Sequence, residues 1–156
     1  MLEIYQRLDD HQGLLEPEIK LLLTFDQRSK ARLKTVSTDG HDVGLFLEHG
    51  HQLRVGEYLQ TSCGKTVRID GAIETVLLAT CDDWVLFARA CYHLGNRHVK
   101  IQVVDRTLRI TPDHVLGDML VGLGLSVSQE QCIFIPENGA YHSHGEKSKH
   151  SATHEH

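Results

Sequence analysis

The apolar positions of this chain change rhythm near residue 72. Before that point, short alternating stretches are separated by turn residues: Leu2–Tyr5, Leu21–Phe25, Leu33–Val36, Val43–Glu48, Leu53–Gln60 and Thr66–Ile69. Alternation at period two predicts half-buried strands. Asp39-Gly40 between two of them signals a hairpin, and Gly50, Gly56 and Gly64 mark further corners. Residues 1–72 therefore read as a small all-β domain, a compact barrel or sandwich.

Beyond Asp70-Gly71, strands and helices alternate. Glu74–Thr80 is rich in β-branched residues and predicts a strand. Asp82 or Asp83 can cap a helix running from Trp84 to Leu94, which Gly95 is expected to stop. Val99–Val104 and Thr107–Ile110 read as strands about the turn Asp105-Arg106. Thr111-Pro112-Asp113 opens a second helix, with Thr111 as cap, Pro112 at the first helical position and Asp113 at the positive end of the dipole. That helix runs to about Leu123, Gly124 ends it, and Val127 to Ile135 supplies a last strand. The order β-α-β-β-α-β is that of a ferredoxin-like domain. The expected class is α+β, with the all-β domain over 1–72 and the ferredoxin-like domain over 73–141. Each core is thin at this size, so self-association would add stability.

Residues 142–156 keep neither rhythm. Five of these fifteen are histidine, mixed with Ser, Glu, Lys and Thr, and no apolar run is present. Such a stretch cannot bury a core and is expected to be a flexible His-rich tail. Neutral imidazole suits nickel, copper and zinc, so the tail can collect borderline divalent metals. A purification tag would place its histidines consecutively; here they are interspersed, which favours a natural metal-binding tail.

Composition narrows the picture further. A 40% apolar content suits a folded soluble protein, and no apolar run approaches the length of a membrane span. No basic-then-apolar segment opens the chain, which predicts a cytoplasmic location. A net charge of −5 argues against a nucleic-acid partner, which would call for a basic face. Cys63, Cys81, Cys91 and Cys132 form no C-x-x-C pair, which excludes a zinc ribbon and makes a disulfide framework unexpected. Cys91 and Cys132 read as small buried hydrophobes within apolar runs.

The remaining histidines differ in what they can do. His11 and His41 fall in polar loops and read as solvated. His49 and His51 flank Gly50 in a predicted turn, where exposed histidines usually hold nothing specific. His93 and His98 are five apart and would point about 140° from each other on an unbroken helix. With the helix stopped at Gly95, His98 lies on the exit connection, a place from which a side chain can be aimed at a partner or metal. One imidazole is one ligand, and a twofold axis through His98 would double it. His114, in the first turn of the second helix, reads equally as an extra ligand or a surface histidine.

The segment Ala88-Arg89-Ala90-Cys91-Tyr92-His93-Leu94-Gly95-Asn96-Arg97-His98-Val99 resembles the signature of the urease accessory protein E family, the nickel metallochaperones. The likeness continues through Leu108-Arg109-Ile110-Thr111-Pro112-Asp113-His114-Val115-Leu116-Gly117-Asp118-Met119-Leu120 and Pro136-Glu137-Asn138-Gly139-Ala140-Tyr141-His142. Asp26 to Arg32, and Asp39-Gly40 through Leu53-Arg54-Val55-Gly56-Glu57, extend it over nearly the whole chain. The resemblance implies a homodimer joined through the ferredoxin-like halves, with Ni(II) held by His98 of both protomers. It implies that His142 and His144 of the tail complete or replace coordination. Some relatives carry more histidines near the second helix, where this chain departs by offering His114 alone as the auxiliary ligand, and Zn(II) or Cu(II), which imidazole also accepts, would compete. It further implies delivery of nickel to apo-urease in concert with the urease accessory GTPase. The N-terminal domain would be peptide-binding-like and offer a docking surface to the activation complex. His49, His51, His150, His154 and His156 receive no role from the likeness.

These residues suit carrying rather than catalysis. Ni(II) accepts imidazole readily, and a site shared across a dyad supplies two such ligands without a deep cage, so the ion can leave. A metal-assisted hydrolase would need an open, preorganised metal and a general base, as on an H-E-x-x-H helix, and the chain has none. No P-loop, G-x-S-x-G or dinucleotide fingerprint occurs either, so nucleotide chemistry must come from a partner. The alternative to a chaperone is a general nickel or zinc buffer that uses the tail alone and serves no client.

Overall fold

A computed structural model describes residues 1–8, 16–48 and 52–139. The expected tail over 142–156, with His142 and His144, and the loop histidines His11, His49 and His51 lie outside the described residues. The chain divides into two units, Met1–Thr75 with Gln131–Ile135, and Val76–Glu130 with the chain from Pro136.

The first unit contains β1 (Leu2–Arg7), β2 (Ile19–Leu23), α1 (Phe25–Arg28), β3 (Arg32–Val36), β4 (Asp42–Phe46), β5 (Tyr58–Thr61) and β6 (Thr66–Gly71). Its six strands form one sheet in the order β2-β6-β5-β1-β4-β3. The β1–β4 and β2–β6 pairs are parallel and the others antiparallel. Period-two patterning places one side of each strand in the core: Val67, Ile69 and Gly71 on β6 are buried, as are Ile19, Leu21 and Leu23 on β2. Ile4, Leu45 and Leu59 complete the centre of that core with no exposed surface. The Thr38 N–H donates to Lys20 O at 3.0 Å, tying the β3–β4 turn to β2 at the opposite edge, so the sheet curls back towards itself.

Two boundaries depart from the pattern. The extended run expected through Phe25 ends at Leu23, because Thr24 caps a short helix. Gln27 N–H donates to Thr24 Oγ1 at 3.3 Å, and Thr24 N–H donates back to Gln27 Oε1 at 2.9 Å, a capping box. The strand expected from Leu53 begins only at Tyr58, because the chain turns at Val55-Gly56, where Gly56 takes a left-handed φ of 90°. Arg28, at the end of α1, is buried at 2% exposure. Its guanidinium donates to Leu23 O at 2.8 Å and to Phe134 O, satisfying two buried carbonyls.

The second unit is organised around β7 (Ile73–Thr80), α2 (Trp84–Asn96), β8 (Gln102–Val104), β9 (Thr107–Ile110), α3 (His114–Gly122) and β10 (Ser126–Ile133). The first residues of β7 and the last of β10 fall in the first unit. The element order is β-α-β-β-α-β, and the sheet order is β10-β7-β9-β8. Phe87, Ala90 and Leu94 form the buried stripe of α2, at spacings of three and four. With Ala79, Leu108, Ile110 and Leu120 they make the second core. Asp83 caps α2, its carboxylate accepting from Val85 N–H at 2.8 Å and Leu86 N–H at 3.2 Å. The cap of α3 is Asp113 rather than Thr111: its carboxylate accepts from Leu116 N–H at 3.0 Å and also meets the positive end of the dipole, leaving Pro112 outside the helix. Among the described residues no helix is long and apolar enough to cross a membrane.

Candidate functional site

Two non-glycine residues of the second unit have a positive φ, Arg106 in the β8–β9 turn at 50° and His98 at the exit of α2. The expected stop at Gly95 does not occur; α2 continues to Asn96, with Arg97 as its C-cap. His98 follows with φ = 58°, in the left-handed region that glycine normally fills at this place. Its N–H donates to Gly95 O at 3.0 Å, and Val99 N–H donates to Leu94 O at 3.1 Å. This bond pair is a Schellman motif, and its usual apolar clasp is present too: Leu94 is wholly buried and Val99 packs against the same core. The motif holds the His98 backbone firmly while the side chain stays exposed. The imidazole lies just beyond the carbonyl end of a 13-residue helix, whose negative partial charge favours a nearby cation.

The other candidates are spread out. His93 is exposed on α2 and meets the Tyr92 ring edge-on, with centroids 5.4 Å apart at 74°. His114 is the first residue of α3 and exposed, its side chain free of the helix capping that Asp113 performs. Among the described residues, no three His, Cys, Asp or Glu side chains converge into a metal-holding group. Neither His98 nor His114 therefore belongs to a three-ligand centre among the described residues of one protomer. No disulfide links the cysteines; Cys91 and Cys132 are half-buried, and burial raises the Cys91 thiol above its ordinary pKa.

One histidine read as solvated has a defined partner. His41 Nδ1 lies 3.0 Å from Asp39 Oδ2 in the β3–β4 turn, while Ser37 Oγ donates to Asp39 Oδ1. The His41 N–H donates to Ser37 Oγ at 2.9 Å. Here the carboxylate sits between hydroxyl and imidazole, so the imidazole does not meet Ser37 Oγ as the base of a hydrolytic triad must. The group fastens a turn. Sequence reading passed over this staple, although Ser37-Thr38-Asp39-Gly40-His41 carries its signal in polar side chains spaced two apart.

Comparison with known proteins gives this geometry its context. The family model described as the UreE urease accessory protein, N-terminal domain, matches residues 3–72, and the model of the C-terminal domain matches residues 74–156. A urease accessory protein UreE of Marinomonas sp. (strain MWYL1) is 53% identical over 146 residues, covering 93% of this chain and 97% of its own. UreE of Alteromonas mediterranea is 45% identical over 93% of both chains. UreE of Psychromonas ingrahamii is 42% identical over 97% of this chain and all of its own. The protein is thus an accessory chaperone acting in urease maturation and is not an enzyme. It belongs to the UreE urease accessory protein family.

Proposed function

We propose that the chain is a nickel metallochaperone, binding Ni(II) at a dimer-interface site built on His98 and delivering it to apo-urease. The observation that carries this reading is His98 itself, an exposed imidazole fixed by a Schellman motif in a conformation that glycine would hold more cheaply. A single imidazole is an incomplete donor set, so the reading needs His98 of a second protomer across a twofold axis. The β-α-β-β-α-β unit, taken as ferredoxin-like over 73–141, would carry that axis. Exposed apolar side chains on it, Val85 and Tyr92 on α2 and Val104 on β8, are surface that a second copy can cover.

In this scheme His142 and His144, from the His-rich residues 142–156, complete the coordination. His114 is an auxiliary ligand, and Zn(II) and Cu(II) compete, because imidazole accepts all three ions. The partners are the urease accessory GTPase and the apo-urease activation complex, met in the cytoplasm, with residues 1–72 as the docking domain. Weakly held outer ligands let the cargo leave, which transfer requires. His98→Ala is expected to remove the tight nickel site while leaving the circular dichroism spectrum and dimer mass unchanged. Full-affinity nickel binding by that variant would sink the assignment.

A further inference from the structure

Between Arg32 and Val36, β3 closes one edge of the six-stranded sheet and pairs with β4 alone; beyond Val36 the outward Thr38 N–H is already taken by Lys20 O of β2. Ser37 N–H donates to His41 O, and Leu47 N–H donates to Ala31 O, each at 2.8 Å. Those bonds fix the alternation of the antiparallel ladder. Leu33 and Thr35 exchange bonds with Leu45 and Val43, whereas Arg32, Lys34 and Val36 sit in the pairs that do not. The backbone N–H and C=O groups of Arg32, Lys34 and Val36 therefore point away from β4. Among the described residues no hydrogen bond reaches them.

The same three residues put their side chains on the sheet face opposite the core. Arg32 and Lys34 are exposed and have no ion pair among the described residues. Beside them the face is apolar. Tyr5 and Phe46 stack with centroids 5.4 Å apart at 21°, and Tyr5 and Val36 are each 56% exposed. Gly44 lies opposite Lys34 and leaves room for this floor. A Cβ there would come within 2.9 Å of the Phe46 ring and 3.1 Å of the Met1 methyl. Past Tyr5 the strip continues into a cleft of about 260 Å³ lined by Tyr5, Gln6, Gln60, Thr61, Ser62 and Gly64.

A lysine on an edge strand is ordinarily a guard against unwanted pairing. A guard, however, needs no stacked aromatic floor beside it. We propose that this edge is a docking strip for an extended acidic segment of a partner protein, which adds a strand to β3. The outward N–H and C=O groups of Arg32, Lys34 and Val36 would hold its backbone, and its carboxylates would pair with Arg32 and Lys34 across the new ladder. The body of the partner then lies over Phe46 and Tyr5. The proposal rests on residues 1–72 being the docking domain and does not depend on nickel.

The test is fluorescence anisotropy on the full chain, with a labelled peptide alternating glutamate and valine and a control in which lysine replaces glutamate. Lys34→Pro removes one outward N–H without touching the bonds to β4, because that residue donates nothing to the ladder. A double charge reversal, Arg32→Glu with Lys34→Glu, is independent of any backbone change. The acidic peptide is expected to bind in a salt-sensitive way and the basic one to fail. Lys34→Pro should weaken binding about tenfold, and charge reversal should abolish it. Equal binding of both peptides, or indifference to charge reversal, would overturn the proposal. So would self-association of the chain that charge reversal removes, since a second copy would then occupy the edge. Urease activation in the same variants separates this from the docking reading. Activation lost on charge reversal with no peptide bound would overturn the acidic strand and leave the docking domain standing.

Discussion

At the scale of single residues, His98 holds a left-handed backbone that costs an L-residue about 1–2 kcal/mol. Histidine tolerates that region better than most residues, yet glycine would remove the cost altogether. Such outliers persist where the side chain is needed. His98→Gly is therefore expected to raise stability by about 0.5–1 kcal/mol, after the greater chain entropy of glycine is set against the relief. Its unfolding midpoint should rise by a few degrees while the proposed nickel ligand is lost, and a lower midpoint would contradict the strain argument. Asp39 offers a second test at this scale. The Ser37 hydroxyl first, and His41 second, hold its carboxyl down at about 2, below the ordinary 3.8. The ionised carboxylate thus favours the folded turn above the ordinary value, and that contribution is lost as pH falls through about 2. Carbon NMR of the Asp39 carboxyl should show this depressed midpoint, moving upward in Ser37→Ala. An ordinary midpoint in the native chain would show that the staple is not closed in solution.

At the scale of elements, the strands and both long helices were legible because their periods of 2 and 3.6 differ over many residues. Boundaries were less so, since local signals compete there. Gly95 looked like the stop of α2, but Leu94 and Val99 both reach the core, and their clasp carries the helix on to Asn96. The run Leu21–Phe25 looked like one strand, although Thr24 and Gln27 spell a capping box three residues apart. Thr111 and Asp113 can each cap α3, and the carboxylate takes the role because it adds dipole attraction to the hydrogen bond. The burial of Arg28 has no local signal, because it depends on the Phe134 carbonyl more than a hundred residues away in the chain. Burial pulls that guanidinium's pKa below its ordinary value, and Glu74 opposes the shift. Arg28→Leu would leave the Leu23 and Phe134 carbonyls without their donor, at a cost of about 3 kcal/mol. Urea denaturation measures this directly, and a loss within experimental error would mean that water replaces the guanidinium.

At the scale of the whole molecule, periodicity within one chain carries no record of a twofold axis. His98 could be marked as an exposed imidazole at a helix exit, but its proposed second ligand is the same residue in another copy. Membership of the UreE family places the chain in urease maturation, and the described residues of one protomer gather no three-ligand centre. The account therefore stands or falls on whether His98 holds the ion in the assembled protein. Calorimetric titration of nickel into the full-length chain, beside His98→Ala and a chain ending at Tyr141, answers this. One tight ion per dimer, lost with His98 and weakened by truncation, is the result the account predicts. Tight binding that ignores His98 and vanishes with the tail would contradict it and leave a histidine-tail buffer in its place.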